Sequence, residues 1–213
     1  MAQTLDRDAL AKVNLYIKFL KERLFFEPDS AALHYNLALA YVQKGLADEA
    51  ISEYRQSLEC DPNLAQAHVN LGGLMFQKGN LDLCIESNNK ALELDPNLPM
   101  AYNNLGFAYL QKGDFQNAIK NSSEAIKFMP NLLQAYNTLA AAYFHMNQFD
   151  SCVDVSLKAL EINENFAPAH YNLAVAFRAS GKMAEARNHY EKAVALGYSF
   201  DEQTSKELGT DIS

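Results

Sequence analysis

The chain has 213 residues, 49% of them apolar and 21% charged, a balance that supports a packed core and excludes a disordered chain. Its formal net charge of −8 lacks the basic footprint that phosphate backbones demand, so no nucleic-acid partner is expected. Three cysteines, Cys60, Cys84 and Cys152, are too few and too scattered for a disulfide framework.

The first predicted element is a helix over residues 6–27. Val13, Ile17, Leu20, Leu24 and Phe26 fall at helical spacing along it, and Pro28 stops it. From residue 31 the chain repeats itself every 34 residues. Asn36-Leu37-Ala38 returns as Asn70-Leu71-Gly72, Asn104-Leu105-Gly106, Thr138-Leu139-Ala140 and Asn172-Leu173-Ala174. Five repeats follow: 31–64, 65–98, 99–132, 133–166 and 167–200, with residues 1–30 and 201–213 as capping segments.

Within a repeat, slots are counted from its first residue. Slot 7 is always Leu, slot 8 always Ala or Gly, and slot 11 is Tyr41, Met75, Tyr109, Tyr143 or Phe177. Spacings of three and four place these on one stripe of a first helix, A. Slot 15 is Gly45, Gly79, Gly113, Asn147 and Gly181, the residue types that enter a left-handed helix end most readily. A second helix, B, carries small residues at slots 20 and 27 and apolar ones at slots 28 and 30, Leu58 and Cys60 among them. Pro62, Pro96 and Pro130 end it. Such a hairpin cannot bury its apolar faces alone, so neighbours must stack. In the last segment, Ser199 and Glu202 have the spacing of a capping box for a short helix through about Leu208.

The Leu-Gly/Ala-x-x-Tyr, Gly, Ala, Tyr, Ala, Pro spacing resembles the tetratricopeptide repeat. Its Ala-x-Tyr/His-x-Asn-Leu-Gly string is most similar to the arrays of O-linked N-acetylglucosamine transferases and related bacterial proteins, here without a catalytic domain. The resemblance implies an all-α, right-handed superhelix with helix A lining a concave groove. Residues 6–27 then correspond to helix B of an incomplete repeat. Tyr16 and Arg23 occupy slots that are small elsewhere, and Tyr16, Phe19, Leu20 and Phe25 are left to meet another copy of the chain. Homo-oligomerisation through residues 6–27 is the second functional expectation. A membrane role for this basic and apolar helix is not expected, because stacking already accounts for its apolar slots.

The groove implied by the resemblance carries Tyr35, Asn36, Asn70, Phe76, Gln77, Asn103, Asn104, Phe107, Gln111, Asn137, Thr138, Phe144, Tyr171, Asn172 and Arg178. Arg178 is the one formal charge among slots 1 to 13 of the five A helices. Four asparagines in register at slot 6 are costly in a helix. A carboxamide carries donors and an acceptor, so it can pair with the amides of an extended peptide; the competing role is a bond between repeats or to water. No cation stands at slots 2, 5 or 6, so acidic C-terminal tails are not expected to bind.

Catalysis is not expected. No phosphate loop, dinucleotide fingerprint, HExxH or GxSxG string occurs. His34, His68 and His170 share slot 4 with Tyr102 and Tyr136, one repeat or more apart, which suits packing better than metal ligation. Neither metal nor cofactor is expected. The cysteines fit a reducing compartment. Residues 1–9 are acidic and lack the order of a secretory signal, so the expected location is the cytoplasm.

Overall fold

A computed structural model describes residues 7–209. The beginning of the N-terminal capping segment (1–6) and the end of the C-terminal tail (210–213) lie outside the described residues. All secondary structure described is α-helical, in twelve helices. They are α1 (Arg7–Phe26), α2 (Ala31–Lys44), α3 (Ala47–Cys60), α4 (Ala65–Gln77), α5 (Leu81–Leu94), α6 (Pro99–Gln111), α7 (Phe115–Phe128), α8 (Leu133–His145), α9 (Phe149–Ile162), α10 (Ala167–Ala179), α11 (Met183–Ala195) and α12 (Glu202–Leu208). None is long and apolar enough to cross a membrane. The chain divides into two compact units, Met1–Asn104 and Leu105–Ser213, with the division inside α6.

Each A helix ends in the same way. Gly45, Gly79, Gly113 and Gly181 have φ between 76° and 78°, and Asn147, at φ 58°, is the one non-glycine with positive φ among the described residues. The slot 16 amide then reaches back to the slot 11 carbonyl: Leu46 to Tyr41, Asn80 to Met75, Asp114 to Tyr109, Gln148 to Tyr143 and Lys182 to Phe177, each at 2.9 Å. This six-to-one bond caps carbonyls that would otherwise be orphaned and turns the chain into helix B.

The end of helix B explains the Asp-Pro-Asn string. Asp61 Oδ1 accepts from the Asn63 amide at 3.0 Å, and Asp95 Oδ1 from Asn97 at 2.9 Å. Asn163 Oδ1 does the same for Asn165 at 3.0 Å, which keeps the turn where Glu164 replaces proline. Slot 4 ties the following helix to that turn. His34 Nε2 lies 2.9 Å from the Pro28 carbonyl, His68 Nε2 3.0 Å from Pro62, and His170 Nε2 3.0 Å from Glu164. The Tyr136 hydroxyl donates to the Pro130 carbonyl at 2.9 Å. Histidine and tyrosine alternate in this slot because both end a flat ring in a donor at similar reach.

The small slots let backbones meet. Ala38, Ala50, Cys84, Ala91, Ala118, Ala125, Cys152 and Ala186 are fully buried. Burial pushes the Cys84 and Cys152 thiols up to about 11, so both stay protonated and inert. Gly72 faces Asn88 so closely that a Cβ there would come within 2.2 Å of Asn88 Nδ2. Glycine in slot 8 here leaves room for the Asn88 side chain opposite it in slot 24.

Four expectations are corrected. Leu20 is buried and packs in the core, whereas Phe26 is exposed, because at 3.6 residues per turn it falls on the face of α1 away from Val13, Ile17 and Leu20. Cys60 is exposed at the last turn of α3. The cap of α12 is Asp201, not Ser199. Its Oδ1 accepts from the Thr204 amide at 2.8 Å and its Oδ2 from the Thr204 hydroxyl at 2.6 Å.

Candidate functional site

In the first unit, α2, α4 and α6 supply the walls of a cleft of about 230 Å³. Leu39 and Val42 come from α2, Gln66, Val69, Asn70, Gly73, Leu74 and Gln77 from α4, and Met100 and Asn104 from α6, with Tyr54 of α3 behind them. No charged side chain lines it. At Gly73 the wall recedes: the nearest atom to a Cβ there would be Asn104 Nδ2, at 3.6 Å.

The slot 6 asparagines make one recurrent contact. Asn70 Nδ2 donates to the Tyr35 hydroxyl at 3.2 Å, Asn104 Nδ2 to the Val69 carbonyl at 3.3 Å, and Asn172 Nδ2 to Asn137 Oδ1 at 2.9 Å. Every acceptor belongs to slot 5 of the preceding repeat. Asn104 Nδ2 also donates to Asn88 Oδ1 at 3.1 Å. Asn70 Oδ1 accepts from Gln66 Nε2 at 3.2 Å. Three of the four ladder amides, those of Asn70, Asn104 and Asn172, are thus engaged between repeats in the free protein.

Tyr54 supplies a second unsatisfied group. It is fully buried, lines the cleft, and its hydroxyl has no hydrogen-bond partner among the described residues. Burial, reinforced by the neighbouring Tyr35, pushes the phenol up to about 12, and the Asn70 carboxamide acts in the opposite direction. The hydroxyl is therefore a neutral donor that lacks an acceptor. Sequence reasoning missed it, since slot 24 varies among Tyr54, Asn88, Ser122, Ser156 and Tyr190 and shows no hydrophobic period.

The remaining candidates divide by exposure. Asn36 and Phe76 are half-buried and Gln77 is exposed in the first unit, but Asn103 is buried. In the second unit Phe107, Asn137, Phe144 and Tyr171 are half-buried and Gln111 is exposed. Thr138 is fully buried and turns its hydroxyl back to the Gln134 carbonyl at 3.0 Å, and Asn172 is buried beside Asn137. Tyr171 packs at a tilt against the rings of Tyr198 and Phe200, at centroid distances of 4.9 and 4.8 Å. Arg178 belongs to the C-terminal cap: its guanidinium donates to the Thr204 hydroxyl at 2.6 Å and to Glu207 Oε2 at 3.2 Å.

Comparison with known proteins accords with the geometry. A family model described as TPR repeat matches residues 40–79 and 73–113, and two described as tetratricopeptide repeat match 101–131 and 131–198. No curated protein matches the chain. Among solved structures, a chain of the APC/C hetero-tetramer Cut9-Hcn1 superposes with a TM-score of 0.77 at 21% identity, over 96% of this chain and 40% of that one. The chain thus spans about two fifths of that relative's length. MamA gives a TM-score of 0.69 at 28% identity, over 80% of this chain and 97% of that one. YrrB, described as a TPR protein with an unusual peptide-binding site, gives 0.72 at 17% identity, over 88% and 95%. With family matches running from residue 40 to residue 198 and the 34-residue hairpin repeated throughout, the chain belongs to the tetratricopeptide repeat family, an all-helical fold that serves protein–protein interaction.

Proposed function

We propose that the protein is a non-enzymatic adaptor that holds an extended, uncharged segment of a partner protein in the cleft of its first unit. One observation carries this reading. The uncharged cleft is backed by a buried donor without an acceptor, the Tyr54 hydroxyl, and lined by the half-buried carboxamides of Asn70 and Asn104. A peptide unit presents the complement, a carbonyl oxygen and an N–H. Leu39, Val42, Leu74 and Met100 supply apolar surface, and the recess at Gly73 admits one apolar side chain. Tyr35, Asn36, Asn70, Phe76 and Gln77 are further contact residues in the first unit. Phe107, Gln111, Asn137, Phe144 and Tyr171 stand in groove slots of the second. Asn103, Thr138 and Asn172, being buried, and Arg178, bound to α12, support these positions from behind. The cysteines, all free, suit a cytoplasmic location.

The test is selection of a random heptapeptide display library on the wild-type protein and on Gly73→Trp. The tryptophan fills the recess with little disturbance of the helix, since only one side-chain atom lies near the new Cβ. Expected are peptides with a central apolar residue and few acids, bound at least tenfold more weakly by the variant. Equal binding to both proteins, or no enrichment on the wild type, would reject the cleft as the site.

A further inference from the structure

Helix α1 buries Val13, Ile17 and Leu20 but leaves a second face bare. Leu15 is 70% exposed, Phe19 49% and Phe26 77%, with Tyr16 beside them at 46%. Asp8, Lys12, Leu15, Phe19, Glu22 and Phe26 follow one another at alternating intervals of four and three residues, the spacing of a helix–helix seam. Its centre is apolar, and a base and an acid flank it, Lys12 on one side and Glu22 on the other.

We propose that this face is an isologous dimer interface in which α1 pairs antiparallel with α1 of a second copy of the chain. Two features select this occupant. The first is charge complementarity. A two-fold axis level with Ile17 brings Leu15 onto Phe19 of the other copy and Lys12 onto its Glu22, twice by symmetry. Parallel pairing would instead set Lys12 against Lys12 and Glu22 against Glu22. The second is bulk. Helix A of a repeat approaches its helix B through slots 20 and 27, which hold residues such as Ala50 and Ser57, Cys84 and Ala91, Ala118 and Ala125. In α1 the same slots hold Tyr16 and Arg23, which prop a conventional repeat helix away. Arg23 is paired with Glu27, Lys18 lies 3.8 Å from Glu22 and Lys21 reaches over the Tyr41 ring of α2, so among these bases Lys12 is the one that stands at a seam position. A single helix pair about 30 Å long buries less than the ~800 Å² per partner of a standard interface. The dimer is therefore weak, dissociating in the micromolar range or above.

Sedimentation equilibrium of the full chain tests this, with circular dichroism of each variant as the fold control. The wild type should show a monomer–dimer equilibrium at tens to hundreds of micromolar. Phe19→Asp, at an exposed position, should leave only monomer. Lys12→Glu should raise the dissociation constant about tenfold, and Lys12→Glu combined with Glu22→Lys should recover most of that loss. A wild type monomeric throughout that range overturns the proposal, as does a dimer indifferent to Phe19→Asp. Loss in Lys12→Glu without recovery in the double reversal overturns the antiparallel register.

Discussion

Asn104 Nδ2 lies 3.1 Å from Oδ1 of Asn88, a side chain with no exposure of its own. The two carboxamides belong to consecutive repeats, and Asn88 passes its own Nδ2 hydrogen to the Cys84 carbonyl at 2.7 Å. The slot 6 asparagine is therefore part of the joint between repeats as well as part of the cleft wall. Asn104→Ala should destabilise the protein by about 1–3 kcal/mol, because the buried Asn88 Oδ1 is left unpaired. Asn70→Ala should cost less, about 0.5–1 kcal/mol, since its Tyr35 partner is only half-buried. Urea denaturation of the two variants, compared at constant m-value, measures the difference.

Gly72 and Asn88 make a second coupled pair. Alanine at Gly72 gains up to about 1 kcal/mol of helix propensity but drives its Cβ into Asn88 Nδ2 and to 3.2 Å from the Cys84 carbonyl. Because Asn88 is hydrogen-bonded in place, Gly72→Ala should be net destabilising by roughly 1–2 kcal/mol. Gly72→Ala with Asn88→Ser should recover most of it. Gly106→Ala should be milder, since it meets chiefly the Ser122 hydroxyl, at 2.5 Å, which can rotate away. Thermal midpoints of the four proteins would show the ordering.

Acidity should loosen the second unit through one pair of rings. His170 Nε2–H points to the Glu164 carbonyl, so its Nδ1 accepts from His189 Nδ1 at 2.9 Å, and both rings are neutral. Burial, with His170 and Lys192 adding repulsion, lowers His189 from 6.5 to about 4. Burial lowers His170 as well. Between about pH 4 and 6.5 the unfolded chain binds more protons than the folded one, so stability rises with pH there. The contribution is complete above about pH 6.5 and lost as the pH falls toward 4. Urea midpoints at several pH values should follow that course, and His189→Gln, which can still donate to His170 but does not titrate, should flatten it.

The cleft of the first unit has no cation to receive a carboxylate. A desolvated carboxylate there lacks charge-assisted bonds worth roughly 1.5–3 kcal/mol each. Peptides ending in acidic tails should therefore show no micromolar binding by calorimetry. Peptides selected for the cleft should bind with little dependence on salt between low and physiological ionic strength.

The period of 34, the helix boundaries and the left-handed turn at Asn147 were legible in the chain, because each is a local preference repeated five times in phase. The family and the neutrality of the A helices followed from the same repetition. What the sequence left open was which side of each polar residue faces protein. Slot 6 asparagines read first as peptide ligands and second as ties between repeats, and only packing showed the amides of Asn70, Asn104 and Asn172 bonded to the preceding repeat. Tyr54 was indistinguishable from an ordinary core aromatic until its hydroxyl was found without a partner beside a cleft. Leu20, expected both in the apolar stripe of α1 and on its self-association face, is buried, because only the packed fold decides which face of α1 meets α2. Local chemistry repeats with the sequence, whereas hydrogen-bond satisfaction is a property of neighbours that the fold alone brings together.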